Sequence, residues 1–259
     1  MDIGISLKKR ADINDGTYKM LGEIGYRALE IDLSDTEDDY YTMHVDSMIA
    51  HAQGTKRALS ELGMYVSQVK GPMIYPPYGK KADEKEKLFG KLFRTTLAAR
   101  MLGAKYIVLR PLMPFGEDTP DGKALENSML NKEFYRRVCD MAKDYGVVVC
   151  LENLPYGQNP LSSPAALAAL VSEMNNDSLK MCLNTGNADA AGASAKEALT
   201  ECVNVIKAMH VDDGCTRELL DAIKNSGYDG VFSLDIQSQE DTGRDAYALY
   251  YGTAKGISD

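Results

Sequence analysis

The segment Val147-Val148-Val149-Cys150-Leu151-Glu152 decides the fold. It is a short apolar run, rich in β-branched residues, that stops at a charged side chain, and such a run predicts a buried strand of a parallel sheet. Seven further short runs also end at a polar or charged residue. They occupy residues 2–6, 28–32, 64–70, 106–110, 179–184, 206–210 and 231–235.

Each run is followed by a loop and then by a segment in which apolar residues recur at helical spacing. Several of these segments end at a glycine suited to a left-handed helix cap, as in Leu102-Gly103 and Tyr145-Gly146. Strict alternation of strand and helix predicts parallel strands joined by right-handed crossovers, and eight such units can close on themselves. The fold class is therefore predicted as α/β, a single (β/α)8 TIM barrel.

The bulk composition agrees with one barrel. The chain has 259 residues, of which 44% are hydrophobic, and about 250 residues is the usual size of this fold. No linker or low-complexity segment divides the sequence. We therefore expect one domain over residues 1–259.

Charge and cysteine content exclude several classes of function. A net charge of −9 and a pI near 5.0 argue against a nucleic-acid partner, which needs clustered Lys and Arg. No apolar run approaches the ~20 residues that span a bilayer, and no stretch is typical of a signal peptide. We expect a cytoplasmic protein that acts on a small molecule. Its cysteines show no CxxC pairing and are expected to be reduced; they are Cys139, Cys150, Cys182, Cys202 and Cys215.

Polar side chains gather at the ends of the predicted strands. Because residues two apart on a strand share a face, a shared inward register would place one polar side chain from each of six strands at the same barrel mouth. These residues are Lys70, Arg110, Glu152, Asn184, His210 and Asp235. Long loops over residues 33–47, 71–83 and 111–127 also follow strand ends, on the face where barrel enzymes build their sites. Tyr75 in the second loop is predicted to contact a ligand, although a purely structural loop is the alternative.

Four segments resemble a known superfamily. They are residues 151–155 (LENLP), 182–187 (CLNTGN), 209–213 (MHVDD) and 227–230 (GYDG). The first three are similar to the LENxP, DTGH and HVKD elements of the xylose isomerase-like superfamily, and the fourth precedes the last strand. That superfamily contains sugar isomerases, tagatose epimerase relatives and apurinic endonucleases. The resemblance extends over nearly the full chain.

The resemblance implies a site for a divalent metal. Its ligands would be Glu152, Asn184, His210 and Asp235, where the family has Glu, Asp, His and Glu. It also implies that Glu152 and Asp235 act as paired acid and base beside a sugar carbonyl, while the metal polarises the oxygen. Oxygen and nitrogen donors would admit Mn, Mg, Zn or Co.

Two departures leave open whether a metal is bound. Asn184 removes one negative charge from the implied ligand set, and Asp235 is one methylene shorter than Glu. If Lys70 and Arg110 also turn inward, the inner charges sum to roughly zero, and a dication has little reason to lose its water. The two cations, Lys70 and Arg110, would then pair with Glu152 and Asp235, or bind an anionic group of the substrate. Asn184 could instead bridge neighbouring strand ends through hydrogen bonds.

Weaker candidates surround these positions. Asn187 stands where the sixth-strand histidine of the family would be, and Arg217 lies just beyond the seventh-strand turn. Both are predicted to bind substrate. Glu30 and Asp32 on the second strand are interpreted as solvated or structural.

These observations favour an isomerase or epimerase of a sugar, sugar acid or keto-polyol that removes a proton next to a carbonyl. A keto-polyol dehydratase using the same enolate is one alternative, and a carbohydrate-binding barrel whose chemistry has lapsed is another. An endonuclease is disfavoured, because the chain has three histidines and an acidic composition. Relatives often form oligomers, so a homo-oligomer is expected as a possible partner state, with a carbohydrate as the ligand.

Overall fold

A computed structural model describes residues 2–7, 14–73, 82–212, 216–236 and 243–255. The strands form a closed parallel barrel in the order β1 to β8, and β1 pairs with β8 to close it. The strands are β1 Ile3–Leu7, β2 Ala28–Asp32, β3 Tyr65–Lys70, β4 Tyr106–Leu109, β5 Val148–Glu152, β6 Leu179–Asn184, β7 Ile206–Val211 and β8 Phe232–Leu234. The predicted eight-stranded α/β barrel is confirmed.

Helices surround the sheet. They are α1 Asp15–Ile24, α2 Asp39–Thr42, α3 Val45–Glu61, α4 Ala82–Leu102, α5 Ala124–Asp144, α6 Pro164–Met174, α7 Thr185–Ala190, α8 Ala195–Glu201, α9 Arg217–Asn225 and α10 Arg244–Lys255. A 3-10 turn, Pro160–Ser162, precedes α6. Gly103 and Gly146 follow α4 and α5 with φ of 83° and 67°, in the left-handed region that the predicted caps require. No helix of the described ranges is both long and apolar enough to cross a membrane.

Two short helices lie in loops where no helix was predicted, and side-chain caps explain both. The carboxylate of Asp38 accepts a hydrogen bond from the Tyr40 amide and starts α2. The side-chain oxygen of Asn184 accepts from the Asn187 amide at 2.9 Å and starts α7. Each cap satisfies an amide that the first helical turn leaves free. The α7 cap also holds Asn184 at the end of β6.

The buried apolar residues form two clusters. The larger one lies between the sheet and the helices and includes Ile107, Leu151 and Met209. The smaller one consists of Val108, Cys150, Cys182 and Ala208. Because its members alternate with those of the larger cluster along the strands, the smaller cluster fills the inside of the barrel. Side chains two residues beyond it therefore point into the barrel mouth.

Candidate active site

The six predicted side chains lie together at the carboxyl end of the barrel. Lys70, Glu152 and Asn184 are the last residues of their strands, and His210 is one residue from the end of β7. Arg110 and Asp235 come directly after β4 and β8. All are buried except Arg110, whose side chain is 15% exposed. The structure thus brings the six groups into one cluster, as the alternation along the strands predicted.

Glu152 lies at the centre of this cluster. Its Oε1 is 2.6 Å from Nδ1 of His210 and accepts a hydrogen bond from Nδ2 of Asn184 at 2.9 Å. Its Oε2 accepts from Nε of Arg110 at 3.2 Å. Burial raises the pKa of this carboxyl, but the charges of Lys70, His210 and Arg110 outweigh burial and hold it well below 4.5. Glu152 is therefore an ionised carboxylate surrounded by cations.

Asp235 pairs with the second cation of the site. Nζ of Lys70 donates to Oδ2 of Asp235 at 3.2 Å, and both side chains are buried. Burial lowers the pKa of Lys70, but the charges of Glu152, Asp235 and further carboxylates raise it above the ordinary value. Lys70 is therefore a buried ammonium whose charge acts on both predicted catalytic carboxylates. The sequence left open whether the two acids pair with the two cations, and the structure contains this pairing.

Glu30, a weaker candidate interpreted as solvated or structural, lies in this cluster and is not solvated. Its side chain is fully buried, and Oε2 lies 2.6 Å from Nε2 of His210. Oε1 accepts a hydrogen bond from Ser6 Oγ at 2.7 Å, and the side-chain amide of Gln68 contacts Oε2. The signal was present in the sequence, because Glu30 pairs in register with Ser6 and Gln68 on neighbouring strands. Asp32 is also buried and accepts from the Ser34 amide.

His210 consequently lies between two carboxylates, with one ring nitrogen on each. Sγ of Cys182 is 3.8 Å from its Nδ1. Burial lowers the pKa of the ring, whereas Cys182, Glu30 and Glu152 raise it well above 6.5. Nε2 also lies 3.0 Å from the side-chain nitrogen of Gln68. A carboxylate oxygen at each ring nitrogen and the raised pKa both favour the imidazolium form of His210.

Asn184 also links the ends of two strands. Its backbone amide donates to Oδ1 of Asn153 at 2.8 Å, and its carbonyl accepts from Nδ2 of Asn153 at 3.0 Å. Nδ2 of Asn187 donates to the Asn153 carbonyl at 2.8 Å. The bridging role considered for Asn184 is therefore present in the structure. Asn187 is half-buried beside it.

The other predicted residues lie apart from this cluster or outside the described ranges. Arg217 is the first residue of α9 and is exposed. Tyr75 lies outside the described residues, as does Cys215. The remaining cysteines are buried and free; they are Cys139, Cys150, Cys182 and Cys202.

Possible metal ligands are present, but most are engaged in other contacts. Ligand atoms of Glu152, Cys182 and His210 lie within 4.8 Å of one another, so the described residues contain a possible metal site. A divalent ion needs lone pairs from deprotonated ligands. Here the oxygens of Glu152 face Arg110, His210 and the amide nitrogen of Asn184. The four ligands implied by the resemblance therefore do not fit a divalent ion in this arrangement, since Asp235 is also occupied, by an ammonium group.

Comparison with known proteins identifies the family. The family model described as xylose isomerase-like TIM barrel matches residues 19–250. The chain belongs to this family. The resemblance in its strand-end motifs is thereby confirmed.

Individual proteins show more distant similarity to this chain. A stretch of 123 residues is 28% identical to the uncharacterized protein MJ1311 of Methanocaldococcus jannaschii, covering 40% of this chain and 42% of that protein. The E. coli 3-keto-D-glucoside 4-epimerase YcjR has a TM-score of 0.76 and 17% identity, with 99% of each chain covered. The IOLI protein, solved with a zinc atom, has a TM-score of 0.76 and 16% identity, covering 100% of this chain and 96% of its own. At these identities the likeness shows the fold, which this chain therefore shares with sugar epimerases.

Proposed function

We propose that this barrel is an isomerase or epimerase of a keto-sugar, sugar acid or keto-polyol, and that it exchanges a proton at the carbon next to the carbonyl. The observation that supports the proposal most is the pair of buried carboxylates, Glu152 and Asp235, each in contact with its own cation. Such chemistry needs one group to remove a proton, another to return it, and a positive charge near the enolate oxygen.

The cations have two effects on this chemistry. They hold the pKa of Glu152 well below 4.5, so this carboxylate is ionised at neutral pH and able to accept a proton. They also weaken Glu152 as a base, because a depressed pKa means a low affinity for protons. We expect a substrate oxygen to take over the Arg110 contact on binding, which would make Glu152 more basic and place the guanidinium against the developing enolate.

Arg110 is better placed than Lys70 to contact substrate directly. Its side chain is 15% exposed, whereas that of Lys70 is 7% exposed and is held by Asp235. We assign Arg110 the role of orienting the carbonyl oxygen and Lys70 the role of a fixed charge beneath it. Asn187 at the start of α7, Arg217 and Tyr75 remain proposed contacts to the hydroxyl groups of the carbohydrate.

Hydrogen exchange in deuterium oxide tests the proposal. Purified protein is incubated with a panel of ketoses, aldoses, keto-glucosides and keto-inositols, and NMR follows loss of the proton next to the carbonyl. The variants are Glu152→Gln and Asp235→Asn, which keep side-chain size and remove the base. The matched control is Glu173→Gln, since Glu173 is exposed on α6 and forms an ion pair with Lys132 on the outside of the barrel.

In an epimerase with two bases, each base serves one epimer. We therefore expect Glu152→Gln to stop exchange from one epimer and Asp235→Asn from the other, while the control exchanges as the wild type does. Undiminished exchange in both variants would remove the acid and base roles. Loss of water from the substrate in the same spectra would indicate the dehydratase instead, and binding without exchange would indicate the lapsed barrel.

A further inference from the structure

The inner cluster of this barrel joins three buried carboxylates to three nitrogen-containing side chains. Lys70 contacts Asp235, Arg110 contacts Glu152, and His210 contacts both Glu152 and Glu30. A fourth acid, Asp32, is buried at the end of β2 and accepts a hydrogen bond from the Ser34 amide. Before any ligand binds, each of the three carboxylates therefore has a nitrogen group of the chain within 3.2 Å.

Glu30 lies outside the four segments that resemble the family motifs. It contacts Nε2 of His210 while Glu152 contacts Nδ1, so that each ring nitrogen already faces a buried carboxylate oxygen. Ser6 donates to the other oxygen of Glu30 and fixes its orientation. A metal ion that used His210 would first have to break one of these two buried contacts.

We propose that Lys70 and Arg110, each in contact with a buried carboxylate, fill the electrostatic role of a divalent cation and that this site binds substrate and acts without one. Asp235 and Glu152 are already neutralised by these protein cations, so a dication gains little attraction to offset the loss of its water. Asn184 strengthens this effect, because an amide replaces the charged ligand that the resemblance implies. The positive charge needed at the enolate oxygen is then permanently part of the protein.

This inference rests on the proposed function only for the location of the site, and its test uses no substrate. Failure of the metal prediction and failure of the exchange reaction are therefore separate results. The test compares the wild type with Asn184→Asp, with Asn184→Asp/Arg110→Gln and with Asn184→Asp/Arg110→Lys. The last variant is the matched control, because it restores the negative ligand but keeps the positive charge at position 110.

Metal binding is measured by equilibrium dialysis against Mn²⁺ or Co²⁺ with elemental analysis, and by the Tm with either ion or with EDTA. We expect no retained metal and no Tm change for the wild type, and little change for Asn184→Asp. Asn184→Asp/Arg110→Gln should bind on the order of a hundredfold more tightly than Asn184→Asp/Arg110→Lys, because one positive charge next to the ligands is gone. At a metal concentration of about one hundred times Kd, its Tm should rise by roughly 5–10 °C.

Two results would overturn the inference. One is wild-type protein that keeps close to one ion per chain through dialysis, or that loses Tm in EDTA. The other is equal affinity of the Arg110→Gln and Arg110→Lys double variants, which would mean that the charge at position 110 does not exclude the metal. A cobalt spectrum with a thiolate band in the wild type would further place the ion at Cys182.

Discussion

Replacing Lys70 by Met should destabilise the protein by about 3–5 kcal/mol. The ammonium and the Asp235 carboxylate lie 3.2 Å apart, with side chains 7% and 2% exposed. With an effective dielectric constant of about 20, opposite charges at that distance attract by roughly 5 kcal/mol. Methionine has a similar length and keeps most of the packing, but it leaves Asp235 buried without its cation. The loss is a large share of the roughly 5–15 kcal/mol that keeps a domain folded.

The assay is equilibrium unfolding in urea at pH 7, with the free energy of unfolding taken from the midpoint and slope. The matched control is Lys123→Met, which removes a lysine paired with Glu126 at 2.6 Å, with side chains 48% and 51% exposed. An exposed pair of this kind contributes about 0–1 kcal/mol. The double variant Lys70→Met/Asp235→Asn should recover at least about 1 kcal/mol of the loss, because it removes the Asp235 charge that Lys70→Met leaves without its cation.

A loss below about 1 kcal/mol for Lys70→Met, equal to that of the control, would refute the buried ion pair as a stabilising contact. A double variant no more stable than Lys70→Met would likewise refute it, because the Asp235 charge would then carry no cost. Both outcomes concern stability alone and are measured without substrate.

Three further predictions follow from the structure. Gly25→Ala should lower the free energy of unfolding by about 1 kcal/mol or more in the urea assay, because Gly25 has φ of 125° and an added Cβ would lie 2.7 Å from Tyr251. Asn153→Ala should lower the free energy of unfolding by about 2 kcal/mol or more, since it removes the two hydrogen bonds between the Asn153 side chain and the backbone of buried Asn184. Unchanged stability would contradict a stabilising link between the ends of β5 and β6. In the folded protein the pKa of His210 lies above 6.5. The contribution of His210 to the free energy of unfolding is therefore fully present below pH 6.5 and is lost as the pH rises through the pKa of the folded state. In EDTA, wild type should therefore lose stability above pH 6.5 more steeply than His210→Gln, and parallel curves would refute this.

The sequence predicted the barrel and the inward side of each strand for a clear physical reason. Burial on both faces selects apolar, β-branched strands, and a period of two fixes which side chains share a face. Cys150 with Glu152, and Cys182 with Asn184, follow from that period alone. Glu30 and Asp32 were placed among the weaker candidates and interpreted as solvated or structural, although the same period places them inward with Gln68 and Lys70.

The partner that each group takes across the barrel mouth could not be predicted in the same way. Glu30 reaches His210 from β2 to β7, and Lys70 reaches Asp235 from β3 to the end of β8, so neither pair joins neighbouring strands. Such contacts depend on side-chain length and on the height of each residue along the barrel axis, which a list of strand ends does not contain. The long lysine spans the mouth to the shortened carboxylate of Asp235. Asp235 is one methylene shorter than the glutamate that the resemblance implies, and the chain supplies its own cation to this carboxylate. Asn184 replaces a negative ligand by an amide, so both departures from the family motif occur in a site whose acids are already paired with cations.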